Sequence, residues 1–404
     1  MLSNLLELVS VAAIAAFAAV PPAATSVRFR IEVPKTTPAD AVVHLAGSSS
    51  ALGGWKADGV RLARDGEHWT AVVELPPGRV EWKATLGTWE RCEVLADGSE
   101  RPNRVVEVGA EPLLVEAVVA LWRTPPASTA TGDIRVLGPV PSQSDRIEGR
   151  PIQVRVPADY DRPEAKDRRH RVVYMLDGQN VFDAATSFAG VEWRADETVD
   201  ALLAAGAIEP VIVVAIPNSP RRMDEMTFDR DVARGAGGDG DQFLAWILDD
   251  VKPLVDSTYR TLSDRDGTIL VGSSLGGLFA LEAVARRSDR IGRAIAMSPS
   301  FWWADEAFLK RSTGSDARRP EPIALWIDTG TDEARNAPDG HVDRARRFGR
   351  IFEGVPTVRT MIVDGGRHHE SAWAARLGDA LRFVLPRPKS TSKPDGKVDR
   401  PPQR

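Results

Sequence analysis

Residues 272–276 read Gly-Ser-Ser-Leu-Gly, and residues 365–373 read GGRHHESAW. The first stretch holds a serine between two glycines; the second sets paired histidines beside an acid. A serine hydroxyl is a weak nucleophile until a base takes its proton and a carboxylate orients and stabilises that base. Serine, histidine and acid together are therefore equipment for attack on an ester-type carbonyl. Of the two serines only Ser274 has glycine both two places before and two places after it; for Ser273 those places are Val271 and Leu275. The surrounding run, TILVGSSLGGLFALEAVA, predicts a β-branched strand, a tight turn and a helix. In such an elbow the glycines let strand and helix approach, and the serine Oγ stands exposed at the positive end of the helix. A helix N-cap serine is the plainer reading of the same residue.

Chain order selects the partners, because in a strand–turn–helix hydrolase the acid follows the serine and the histidine comes last. His44 and His68 lie in a β-rich N-terminal region, and His170 precedes the elbow. His341 opens the helical run HVDRARRFGRIF, where capping or solvent exposure is expected. His368 and His369 remain, between the last predicted strand, VRTMIVD, and the last helix. A metal reading of this pair is set aside: adjacent side chains diverge, no H-E-x-x-H spacing exists, and Cys92 is the only cysteine. Neither a metal nor an organic cofactor is expected. In IALWIDTGTDEARN the candidate acids are Asp328, Asp332 and Glu333, and spacing does not separate the last two. A tetrahedral oxyanion needs backbone N–H donors. The expected ones belong to Leu275, next to the serine, and Gln179, after the Asp177-Gly178 turn.

These residues need a scaffold. From Ile134 onward, strand-like runs (RVVYMLD, PVIVVAIPN, GTILVGS, IALWIDTG, VRTMIVDGG) alternate with helical stretches, which predicts a mainly parallel sheet covered on both faces over residues 134–386. Ligand sites in such folds lie beyond the C-terminal strand ends, where every candidate residue falls. Residues 26–122 differ in texture: VRFRIEV, AVVHLAG, WTAVVELPPG, RVEWKATLG and RVVEVG alternate with period two between turn residues, the pattern of a small antiparallel β-sandwich. A Pro- and Thr-rich stretch, 123–133, reads as a linker, and 387–404 as a disordered tail. Residues 1–25 fit the apolar core and small-residue cleavage site of an export signal, with cleavage near Ala24, although the start carries Glu7 and no basic residue. A secreted or periplasmic location is therefore expected, without a stable membrane span. The net charge of −5 over 404 residues leaves no basic footprint for nucleic acid.

Taken together, YMLDGQNVFD, VDSTYRTLSDRDGTILVGSSLGGLFAL, SPSFWWAD, DTGTDE and GGRHHESAW resemble an esterase family of α/β-hydrolases. The family includes enterochelin esterases, feruloyl esterases, S-formylglutathione hydrolases and mycolyltransferases. The resemblance implies Ser274 as nucleophile, Glu333 as the acid and His368 as the base, with His369 where the family usually has Asn. It also places Asp177, Arg222 and Glu225 on the substrate side and Trp302 and Trp303 in the pocket wall. The N-terminal region is similar to starch- and glycogen-binding modules, in which Trp55 and Lys83 match sugar-contacting positions. The second tryptophan expected just before Pro102-Asn103-Arg104 is absent. The resulting expectation is a serine carboxylic-ester hydrolase acting on acyl, feruloyl- or acetyl-sugar, or siderophore-type esters. Acyl transfer to a sugar or lipid hydroxyl, and a non-catalytic carbohydrate-binding protein, are the alternatives.

Overall fold

The computed structural model describes residues 24–124, 127–314, 322, 324–333 and 340–385. The expected export signal, apart from its last two residues, and the expected C-terminal tail lie outside the described residues. The chain divides into two compact units, separated after Arg123.

The first unit is a β-sandwich. One four-stranded sheet runs Ala63–Asp65, His68–Leu75, Thr25–Glu32, Leu113–Val118; the other runs Val60–Arg61, His44–Gly47, Gly78–Thr85, Arg104–Val108. Alternation drives the packing: Val27, Phe29 and Ile31 of one sheet and Leu45, Trp82 and Ala84 of the other point inward and are essentially unexposed. The pairing is antiparallel except between Thr25–Glu32 and Leu113–Val118, which run parallel.

The second unit is built on one eight-stranded sheet. Its strands are β1 (Asp133–Val140), β2 (Arg150–Val156), β3 (Arg171–Leu176), β4 (Val211–Ile216), β5 (Thr268–Ser273), β6 (Arg293–Met297), β7 (Ala324–Gly330) and β8 (Val358–Val363). Their order is β1-β2-β4-β3-β5-β6-β7-β8, antiparallel for the first two pairings and parallel from β4 to β8. This is the α/β-hydrolase arrangement. The helices that position the site are α1 (Ala195–Ala204), α2 (Leu275–Arg286), α3 (His341–Gly349) and α4 (Glu370–Val384). Strands β4, β5, β6 and β7 are buried along their whole length, because helices cover both sheet faces. One face packs Phe243, Trp246 and Phe279; the other packs Trp193, Trp326 and Trp373. Among the described residues no helix is long and apolar enough to cross a membrane.

Candidate active site

The site grows from three strand ends whose last residues hold unusual backbone angles. Asp177 after β3 (φ 55°), Ser274 after β5 (φ 55°) and Ser298 after β6 (φ 47°) are all non-glycine residues at positive φ. For such residues this conformation costs on the order of 1–3 kcal/mol, and it persists only where the surroundings enforce it. At Ser274 they do: its N–H donates to the Met297 carbonyl (2.9 Å) and its own carbonyl accepts from the Ser300 N–H (3.0 Å). The turn is further closed by Gly272, where a Cβ would lie 2.3 Å from the Gly276 carbonyl oxygen. The Ser274 side chain is thereby held at the start of α2, with Oγ 3.2 Å from the Ser300 Oγ.

The candidate acid and base come from the loops after β7 and β8. Glu333 is 2% exposed, and its Oε2 lies 3.2 Å from His368 Nδ1. Its other oxygen accepts from the Ser298 hydroxyl and from the Gly330 N–H, the latter at 2.6 Å. Burial alone would raise the Glu333 carboxyl, but the hydrogen bonds from His368, Ser298 and Gly330 outweigh it and hold the group below the usual carboxylate range. Glu333 is thus an anion placed behind an imidazole. The segment after β6 ties acid to serine, since Ser298 bonds Glu333 and Ser300 bonds Ser274. Trp373 of α4 stacks edge-on to the His368 ring at 5.0 Å and donates its indole N–H to Ser298 Oγ at 3.0 Å.

The other candidates separate on the same geometry. Asp332 is exposed, and its backbone N–H donates to the Gly366 carbonyl. Asp328 is fully buried but is committed to the Trp326 indole (2.7 Å) and the Arg376 guanidinium (2.9 Å). His369 caps α4, its Nδ1 accepting from the Ser371 N–H at 3.2 Å. The Leu275 and Gln179 N–H groups each open a helical turn, where an N–H has no intrahelical acceptor. A carboxylate oxygen of Asp177 lies 3.6 Å from where a Cβ on Gly276 would stand, which brings the β3 loop against the serine turn.

Residues 145–384 match the family model described as "Putative esterase", more than half of the chain. The chain belongs to this esterase family. Residues 24–113 match the starch binding domain model. The esterase is 26% identical over 240 residues to a ferri-bacillibactin esterase of Bacillus subtilis, covering 53% of this chain and 78% of that protein. It is 23% identical over 331 residues to an iron(III) salmochelin esterase of Escherichia coli, covering 78% and 73%. Among solved structures it is similar to the enterobactin esterase of Shigella flexneri, with TM-score 0.47, 14% identity, and 85% and 88% of the two chains covered. The protein is accordingly an ester hydrolase.

The substrate-side candidates of this esterase take distinct places in the fold. Glu225 is fully buried and held by both guanidinium nitrogens of Arg150 (2.7 and 3.2 Å), so it braces the fold. Arg222 does not pair with Glu225 but grips both Asp177 oxygens, at 2.6 and 2.7 Å. Trp303 is 3% exposed, a core residue whose indole N–H donates to the Asp229 carbonyl. Trp302 stays half-buried beneath the Arg234 guanidinium, 4.6 Å from its ring. In the N-terminal unit Lys83 is 5% exposed, 3.7 Å from Glu100, and therefore offers little to a glycan. Trp55 is half-buried and faces Trp89 with ring centroids 6.3 Å apart. Trp89 was not singled out in the sequence.

His341 also departs from its expected place. Instead of capping or facing solvent, it is 8% exposed, with Nδ1 3.4 Å from Glu333 Oε2, so Glu333 faces two imidazoles. Burial lowers the His341 pKa, partly offset by the Glu333 charge, and keeps it a neutral neighbour. A signal existed: His341, Ala345 and Phe348 are the buried stripe of α3 at helical spacing.

Proposed function

We propose that this ester hydrolase works through a serine nucleophile and an acyl-enzyme. The observation that carries the reading is the buried, anionic Glu333 bonded to His368 and joined, through the Ser298–Ser300 segment, to the strained Ser274 turn. His368 takes the Ser274 proton as Oγ attacks the ester carbonyl, and Glu333 stabilises the imidazolium that results. The Leu275 and Gln179 N–H groups receive the tetrahedral oxyanion. His368 returns its proton to the leaving alcohol, then activates water to release the acid and regenerate the serine.

The substrates proposed are siderophore-type or feruloyl- and acyl-sugar esters. The named relatives support the first, and the starch-binding match supports a sugar-bearing substrate reached through the N-terminal unit. There the Trp55–Trp89 pair offers aromatic faces. Export is proposed as well, tested by sequencing the N-terminus of mature protein.

The mechanism is tested with purified full chain on an activated short-chain ester, Ser274→Ala and His368→Ala beside it. Each variant is expected to lose at least about 10³-fold in kcat, and mass spectrometry is expected to trap an acyl group on Ser274. Unchanged turnover in Ser274→Ala would overturn the reading. Added sugar or alcohol acceptors in the same assay separate hydrolysis from acyl transfer.

A further inference from the structure

Behind the Asp177–Val181 loop, three carboxylates converge at the N-terminus of α1. One carboxylate oxygen from each of Glu192, Asp196 and Glu197 lies within 4.8 Å of the other two. Acidic residues at a helix start ordinarily serve the free N–H groups there. Here Glu192 Oε2, Asp196 Oδ1 and Glu197 Oε2 are buried and have no hydrogen-bond partner among the described residues. Glu192 is 5% exposed and Asp196 is fully buried.

The opposite oxygens show how firmly the cluster is aimed. The Thr129 hydroxyl donates to Glu192 Oε1. The Thr131 N–H and hydroxyl donate to Asp196 Oδ2, at 2.6 and 2.8 Å. Arg194 reaches Glu197 Oε1 at 3.3 Å from an exposed position. Each carboxylate is thus held by one oxygen, while the other has no hydrogen-bond partner among the described residues. Burial, reinforced by the neighbouring acids, pushes both Glu192 and Asp196 above the usual carboxylate range.

We propose that Glu192, Asp196 and Glu197 form a binding site for a hard divalent cation, calcium in particular. The donors are all oxygens, with no histidine or cysteine, which selects hard cations over zinc or copper. Calcium binds oxygens at about 2.3–2.6 Å, so ligands on opposite sides of it stand about 5 Å apart. The observed spread fits within that span. Thr129 and Thr131 are outer partners that fix the carboxylate orientations. The ion would fasten residues 128–131 to α1, which adjoins two parts of the candidate site. The Trp193 N–H donates to the Asn180 carbonyl at 2.7 Å in the loop carrying Gln179, and the Trp193 ring meets Trp373 at 5.9 Å.

The test uses the full chain, chelator-treated and dialysed. Because Trp193 flanks Glu192, terbium bound at the site would be sensitised by indole excitation and displaced by calcium. The thermal midpoint of the catalytic unit is expected to rise by roughly 5 °C at calcium about 100-fold above its dissociation constant. Glu197→Gln, at the more exposed position, and Asp196→Asn are both expected to abolish the terbium signal and the calcium shift. Asp196→Asn without calcium should melt at or above the wild-type midpoint, since it relieves carboxylate repulsion. No terbium signal and no calcium shift in the wild type would overturn the proposal. So would a full calcium response in folded Glu197→Gln. None of these readouts depends on ester hydrolysis.

Discussion

The two glycines that flank Ser274 look equivalent in sequence, yet the structure makes them unequal, and a pair of alanine substitutions tests this. At Gly272 a Cβ would sit 2.3 Å from the Gly276 carbonyl oxygen and 2.4 Å from its carbon, both backbone atoms. Since Cβ atoms essentially never come within 3.0 Å of such neighbours, strand end and helix start must part by about 0.7 Å or more. That displacement falls on the Ser274 Oγ and the Leu275 N–H at once. A misplacement approaching 1 Å costs about 10²-fold in rate, roughly 2.7 kcal/mol of barrier. Overpacking should cost a further 1–3 kcal/mol or so of stability. At Gly276 the nearest atoms are the Leu176 side chain and an Asp177 oxygen, at 3.5–3.6 Å, ordinary contact. Gly276→Ala should therefore fold at least as well as wild type, because alanine is favoured over glycine in a helix by up to about 1 kcal/mol, and keep turnover within about threefold. The assay is kcat/KM on an activated short-chain ester, with thermal melts of each variant. Comparable losses in both variants, or a Gly272→Ala enzyme with full activity, would refute the claim that backbone approach at residue 272 shapes the site.

His341→Ala removes a neighbour of the Glu333 oxygen that holds His368, so kcat should fall about fivefold, the worth of about 1 kcal/mol, with KM unchanged. His341→Gln should recover most of the loss; equal loss in both, or a KM effect instead, would assign His341 to packing alone. Glu282 on α2 is 2% exposed, and burial, opposed by Arg311 and Arg286, raises its pKa from 4.5 to about 7. The fold therefore favours the protonated acid. Stability should decline as pH rises from about 4.5 and level off above about 7, by up to about 3 kcal/mol. Melts at pH 5 and pH 8 check this: Glu282→Gln should narrow the gap between them, and an unchanged gap would place the titration elsewhere.

What the sequence disclosed follows from how far apart the cooperating residues lie along the chain. The serine turn was readable because strand, glycines and helix are contiguous, so local sterics alone write its pattern. The hydrolase sheet was readable from β3, β4, β5, β7 and β8, whose apolar runs are long and β-branched. RAIAM, the short β6, has alanines where a strand signal needs bulk, and its burial between β5 and β7 comes from tertiary packing. That missed strand end supplies Ser298 and Ser300, which join Glu333 to Ser274. Asp332 and Glu333 are adjacent, and what separates them is burial and the partners that enclose Glu333, which arrive from three other loops or helices. Arg150 reaches Glu225 across 75 residues, which is why a motif-like R-x-x-E spacing read as one substrate element resolves into two unrelated ion pairs. The same reasoning explains the acidic cluster: only the fold reveals that one oxygen of each carboxylate has no hydrogen-bond partner among the described residues. Where a helix's first-turn acids are buried, the N-terminal capping pattern alone does not distinguish a cap from a cation site. The orientation of the oxygens does, and it is set here by Thr129 and Thr131, more than 60 residues upstream of the groups they aim.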